Sequence, residues 1–239
     1  MAPEALLLDL DGTLIDWLSG LQAGVSAGAA ELARLHGLDE AEVAAATLAF
    51  EAEVYEVHES GWLLGGVGTA ELYGALWRRT LDEYGLDPEP ADRIAAVHWT
   101  AELDAFRAYD DVAVLLEVAA RQGIRTALVT NGPSEVQRAK LARVGLADAF
   151  DAVLISAELG VAKPDAGIFA AALAALGVTA GEVWHVGDSL EFDVAGAQAA
   201  GIEGVWVNRH GWAHGRHQPQ PALVVADLLE LQRVLAPAA

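Results

Sequence analysis

Cysteine is absent from the 239-residue chain, which excludes disulfides, zinc–thiolate sites, iron–sulfur clusters and thiol catalysis. Basic residues are scarce, 14 against 35 acidic ones, for a formal charge of −21. So negative a surface repels phosphate backbones and anionic lipid, and neither nucleic acid nor membrane is expected as a partner. No stretch approaches the roughly 18–20 apolar residues of a membrane span. The opening MAPEALLLDLDG has no basic cluster ahead of its apolar run, which Asp9 breaks. A soluble, cytoplasmic protein is expected, and composition is silent on oligomeric state. What the chain has in quantity is hydrophobic residues, 54% of the total, enough to fill a core and to argue against intrinsic disorder.

Residues 5–10 form a short apolar run ending in a polar turn, the pattern of a buried strand. Similar runs recur at 124–130, 150–155, 182–187 and 204–208, with amphipathic segments of helical length at 133–144, 165–177 and 192–200. This alternation predicts an α/β fold, a Rossmann-like parallel sheet with helices on both faces. The stretch from Ala222 adds an edge strand and a terminal helix capped by Asp227. Residues 16–110 break the rhythm. Leu18, Leu21, Val25, Leu32 and Leu35 share one helical face ended by Gly37, and Asp39 with Glu42 has capping-box spacing for a second helix. Two further helical patterns run from Thr69 to about Tyr84 and from Pro90 to about Tyr109. The expected division is therefore a core of residues 1–15 and 111–239 carrying an all-helical insert at 16–110. The acidic charge concentrated in the insert reads as a solvated helical face or as a docking surface for a basic partner.

In an open parallel sheet, ligands bind at the carboxyl ends of the strands. At the first strand end stand Asp9, Asp11, Gly12 and Thr13; at the second, Thr130, Asn131 and Gly132; after the third, Lys163-Pro164; at the fourth, Asp188, Ser189 and then Asp193. Carboxylates gathered alone repel one another and any anion, so the cluster makes sense with a hard divalent cation. Each piece also has a plain structural reading. Asp11-Gly12 suits a turn, Thr130-Asn131-Gly132-Pro133 suits a helix start, and Asp193 suits a first helical turn. Lys163 could be an ordinary loop lysine, yet Lys140 and Lys163 are the chain's only lysines beside twelve arginines. It is the joint occurrence at four strand ends that points to a site.

The string Asp9-Leu10-Asp11-Gly12-Thr13-Leu14 resembles the first motif of the haloacid-dehalogenase-like (HAD) hydrolase superfamily. Thr130-Asn131-Gly132, Lys163-Pro164-Asp165 and the run from Gly187 to Asp193 resemble its later motifs, and the helical insert resembles its cap. The resemblance implies Mg²⁺-dependent hydrolysis of a small phosphorylated metabolite, a phosphate monoester, through an aspartyl-phosphate. By it, Asp9 is the nucleophile and Asp11 the general acid and base. Thr130, Asn131 (through its main-chain N–H) and Lys163 bind phosphate. Asp9, Asp188 and the main-chain carbonyl of Asp11 hold the metal, and Asp193 orients a metal-bound water or Lys163. The dehalogenase branch lacks an acid two residues after its nucleophile, so Asp11 favours phosphoryl transfer. Alternatives on the same scaffold are a sugar-phosphate mutase, a 2-haloacid dehalogenase or a non-catalytic binding module.

Three features stay open. The Gly-rich stretch from Gly61 to Gly68, with Trp62, is either a specificity loop or a plain helix–helix connection. Asp16, Trp17 and Ser19 either line an entrance or pack a hinge. His210, His214 and His217 suggest zinc, but nothing there aims three imidazoles at one point, and a solvated loop is the better reading. Arg209, beside them, has no assignable place from the sequence.

Overall fold

The computed structural model describes residues 3–235, in two compact units. One comprises the residues up to Asp16, Ala108–Asn131 and those from Gly145 onward; the other comprises Trp17–Arg107 and Gly132–Val144.

The first unit is built on a six-stranded sheet: β1 (Ala5–Leu8), β2 (Arg125–Thr130), β3 (Ala152–Ile155), β4 (Val183–Gly187), β5 (Glu203–Val207) and β6 (Leu223–Val225). Its order is β3-β2-β1-β4-β5-β6, every pairing parallel. The all-apolar β1 is fully buried, as a strand covered on both faces must be. Leu8 stands opposite Leu128 and Val186, so the carboxyl ends of β1, β2 and β4 come level. Chain order reverses at β1, and that reversal opens a crevice beyond the strand ends. The chain steps outward from β1 to β3 on one side and from β4 to β6 on the other, the Rossmann-like order in which parallel crossovers cover both faces with helices. The helices of this unit are α5 (Val112–Gln122), α7 (Ser156–Leu159), α8 (Ala166–Leu176), α9 (Gly196–Ala199) and α10 (Leu228–Leu235). Leu7, Val129 and Val183 of the sheet share a core with Ile168 and Phe169 of α8 and Ala197 of α9. Asp227 caps α10, accepting the Glu230 N–H at 2.7 Å.

The second unit is helical: α1 (Trp17–His36), α2 (Glu40–Leu63), α3 (Thr69–Glu83), α4 (Ala91–Ala105) and α6 (Ser134–Arg143). Asp39 caps α2 by accepting the Glu42 N–H at 3.0 Å. Leu32, Leu76, Trp77, Leu81 and Ile94 fill its core. No helix among the described residues is long and apolar enough to cross a membrane.

Three elements depart from the sequence expectation. Helix α4 stops at Ala105 rather than near Tyr109, because Phe106 turns extended (φ −56°, ψ 134°) and is buried. Gly61, Trp62 and Leu63 form the last turn of α2 rather than a loop, and Trp62 packs half-buried against the helical core. The helix expected over 192–200 begins at Leu190 as a π-helical stretch to Ala195 before α9. Such wide turns often mark functional sites.

Candidate active site

Asp9 follows β1 directly, and its N–H donates to Val186 O at 3.0 Å, extending the strand pairing by one residue. Its carboxylate is buried and already engaged: Thr13 Oγ1 donates to Oδ2 at 3.0 Å and Lys163 Nζ to Oδ1 at 2.6 Å. The turn after it is tight, with Gly12 N bonded to Ile15 O at 2.9 Å. Gly12 is required there twice over. Its φ is +82°, and a Cβ would sit 2.7 Å from Asp188 Cγ.

Lys163 is held from two sides. Asn131, just past β2, accepts the Lys163 N–H on Oδ1 and donates from Nδ2 to Lys163 O, each at 2.9 Å. The Asn131 side chain is thus spent on the lysine's main chain, leaving its own main-chain N–H as the group the sequence reading assigned to phosphate. Lys163 Nζ also donates to Asp193 Oδ1 at 2.6 Å. Asp193 takes His185 Nε2 on the same oxygen at 2.9 Å and the Ser189 N–H on Oδ2 at 2.9 Å. The π-helical stretch turns Asp193 inward, and Gly187 gives it room, since a Cβ there would lie 2.5 Å from Asp193 Cβ. Trp206 Nε1 donates to Asp188 O at 2.7 Å, fixing the main chain that carries the last carboxylate. Thr130 is buried at the final residue of β2.

Asp9, Asp188 and Asp193 each offer an oxygen, all within 4.8 Å of one another, and no other group of metal-ligating side chains occurs among the described residues. Burial pushes the Asp9 carboxyl up to about 7, against the pull of Lys163 and with the push of Asp193. Burial likewise raises Asp188 to about 8, with Asp9 and Asp193 adding repulsion. Asp193 is different: burial works against its charge, but Lys163 and His185 outweigh it and hold the carboxyl well below the usual range. The same pairing overcomes desolvation and holds the Lys163 ammonium well above its ordinary value. Two carboxylates that protonate when buried alone, facing one whose oxygens are already hydrogen-bonded, form a donor set suited to a hard cation. Asp193 accepts three hydrogen bonds and Asp9 two, so of these two Asp9 keeps the more capacity for a cation.

A family profile described as haloacid dehalogenase-like hydrolase matches residues 3–201. The chain belongs to the haloacid dehalogenase-like hydrolase family. Among its relatives, the phosphoserine phosphatase of Thermus thermophilus is 40% identical over 156 residues, 65% of this chain and 62% of that protein, under two thirds of the relative's length. The ribulose-1,5-bisphosphate 5-phosphatase of Halopiger xanaduensis is 36% identical over 84% of this chain and 83% of its own. A solved 2-haloacid dehalogenase from Pseudomonas syringae pv. Tomato superposes over the full length of both chains with a TM-score of 0.69 at 27% identity. Within the family the scaffold thus serves phosphorus and carbon chemistry alike, and the site has to decide between them.

Sequence reasoning missed two partners. His185 lies inside an apolar strand, where no pattern singles it out. Arg209 closes a bidentate pair with Asp111 (2.8 and 3.0 Å), donates to Thr13 O at 2.9 Å and stacks 3.8 Å above the Tyr109 ring. It fastens the turn that carries Asp11 and Thr13. The histidines at 210, 214 and 217 lie in an exposed loop, with His214 Nε2 2.9 Å from Pro219 O.

Proposed function

We propose that this chain is a phosphatase that hydrolyses a small phosphate monoester by passing the phosphoryl group to Asp9 and then to water. The observation that carries the reading is the Asp9 carboxylate, buried at the switch point of the sheet and oriented by Thr13 and Lys163. In the first step an Asp9 oxygen attacks phosphorus and the ester P–O bond breaks, while the Asp11 carboxyl gives its proton to the leaving alkoxide. In the second, water attacks the phosphorus, the Asp9–phosphorus bond breaks, and Asp11 takes the water's proton, releasing inorganic phosphate. Lys163 has three N–H groups; two go to Asp9 and Asp193, and the third meets a phosphoryl oxygen. The Thr130 hydroxyl and the Asn131 main-chain N–H bind the other oxygens, where charge moves in the transition state.

Mg²⁺, held by Asp9, Asp188 and the Asp11 carbonyl, would neutralise the meeting of two anions and fix their geometry. Asp193 is assigned to Lys163 rather than to the metal, because it already accepts three hydrogen bonds, from Lys163, His185 and the Ser189 N–H, against two at Asp9. Asp11 favours phosphoryl transfer over dehalogenation, since a departing halide needs no proton and an alkoxide does. In this reading residues 16–110 are the cap that selects substrate, and the phosphatase relatives favour a small phosphorylated metabolite.

A Mg²⁺-supplemented panel of phosphate monoesters tests this, run with wild type and Asp9→Asn. Wild type is expected to release phosphate from at least one ester and the variant from none. Wild-type turnover by homogeneous Asp9→Asn, or halide release from a 2-haloacid with no phosphatase activity, would overturn it.

A further inference from the structure

Strand β4 carries one side chain that the chemistry above leaves unused. His185 stands opposite Leu7 of β1 and Gly204 of β5, is fully buried, and meets the Phe169 ring edge-on at 5.0 Å. An imidazole among apolar neighbours can be mere filler. This one reaches Asp193 Oδ1 at 2.9 Å, the same oxygen that accepts Lys163 Nζ at 2.6 Å. An ionised carboxylate can only accept, so the ring proton sits on Nε2. The other nitrogen, Nδ1, makes no hydrogen bond of good geometry. Burial pushes the imidazole's pKa down, in keeping with a neutral ring.

We infer that His185 is a positioning residue, which pins the Asp193 carboxylate so that Lys163 is presented to Asp9 with one N–H directed at the phosphoryl group. The inference rests on the phosphatase reading. Asp193 is tied at three points: Ser189 N on Oδ2, and Lys163 with His185 on Oδ1. Without the third tie only the Ser189 N–H on Oδ2 would oppose rotation of the carboxylate, and the oxygen that holds Lys163 could shift and draw the ammonium from Asp9. The chemistry of the donor matters as well. A cationic side chain at 185 would repel Lys163 and cancel the charge that holds it, and an apolar one would leave a buried lone pair unmet. A neutral N–H donor steers the carboxylate and leaves its charge to the lysine.

The test compares His185→Leu, which fills the space without a donor, with His185→Gln, which returns an N–H near the Nε2 position. Both are measured in the full chain with Mg²⁺ and the best ester of the panel. Losing an outer partner of this kind typically costs ~10–100-fold. His185→Leu is expected to lose that much kcat/KM, almost all of it in kcat, with KM changing less than about threefold. His185→Gln is expected to recover most of the loss at a similar melting temperature. Wild-type kcat in His185→Leu, or equal losses in both variants that track a falling melting temperature, would overturn the inference. Should His185→Leu not fold, His185→Met takes its place in the same comparison. An active wild type with a dead Asp9→Asn and unaffected His185 variants sinks this inference alone; an inactive wild type sinks the phosphatase reading beneath it.

Discussion

Replacing Lys163 by methionine keeps the side-chain length and deletes the charge between two buried carboxylates. The ammonium lies 2.6 Å from both Asp9 and Asp193, and the three side chains are 3%, 9% and 1% exposed. Removing one partner of such a group leaves uncompensated buried charge and costs about 3–5 kcal/mol. Set against a typical total of ~5–15 kcal/mol, that is a large share. For a chain of this length it corresponds to a fall in melting temperature of about 6–20 °C. The loss should depend on pH. Lys163 lowers Asp193 and opposes the upward push of burial on Asp9. Without it both carboxyls titrate higher in the folded chain than in the unfolded one. The folded state then binds the extra protons, and stability falls as pH rises above ~4. The deficit is therefore smaller near pH 5 than near pH 8. Urea unfolding of metal-free wild type and variant at the two pH values measures it, with Trp206, buried in β5, as a fluorescence reporter. A deficit below about 1 kcal/mol at pH 8, or the same deficit at both pH values, would refute the reasoning.

The metal-free wild type should itself weaken with pH. Burial holds Asp9 at about 7 and Asp188 at about 8, against roughly 4 in the unfolded chain. Their contribution is whole below pH 4 and lost as pH climbs through 7 and 8. The depressed Asp193 acts only at acidic pH, outside that window. Melting temperature in chelator should thus drop between pH 6 and 8.5, and excess Mg²⁺ should reverse the drop; a flat profile, or one that Mg²⁺ leaves unmoved, contradicts the assignment of these two carboxylates. Gly187→Ala would thrust a Cβ into the Asp193 carboxylate and to 2.5 Å from Asp193 Cβ, where the hydrogen-bonded side chain cannot swing aside, and overpacking of this sort costs ~1–3 kcal/mol. Steady-state kinetics should show kcat falling with it, because Asp193 and hence Lys163 must move; an alanine variant with wild-type kcat would contradict the crowding.

The strands were legible because a fully covered parallel sheet demands predominantly apolar runs, and β1, β2, β4 and β5 supply them. The site was legible because polar residues ended those runs at one edge of the sheet. Other features depend on tertiary partners. Nothing local to residues 190–195 announces a π-helical turn, and the partner it brings Asp193 to, Lys163, lies 30 residues earlier. Helix α4 ends at Ala105 because Phe106 is buried, not because a breaker follows. Asp111, placed as if to cap α5, makes no side-chain cap and instead binds Arg209, 98 residues away. His185 carries no signal in a run of apolar neighbours until Asp193 is seen beside it.

The position of β1 in the middle of the sheet has a consequence for synthesis. The strand leaves the ribosome well before its two neighbours, which begin only at Arg125 and Val183. Throughout that interval the Ala5–Leu8 segment presents two unsatisfied edges to a crowded cell. The helices between Trp17 and Ala105, joined by short connections, need no such wait. Glu4 and Asp9 bracket the bare segment with negative charge, the kind of flanking that discourages premature association between nascent chains.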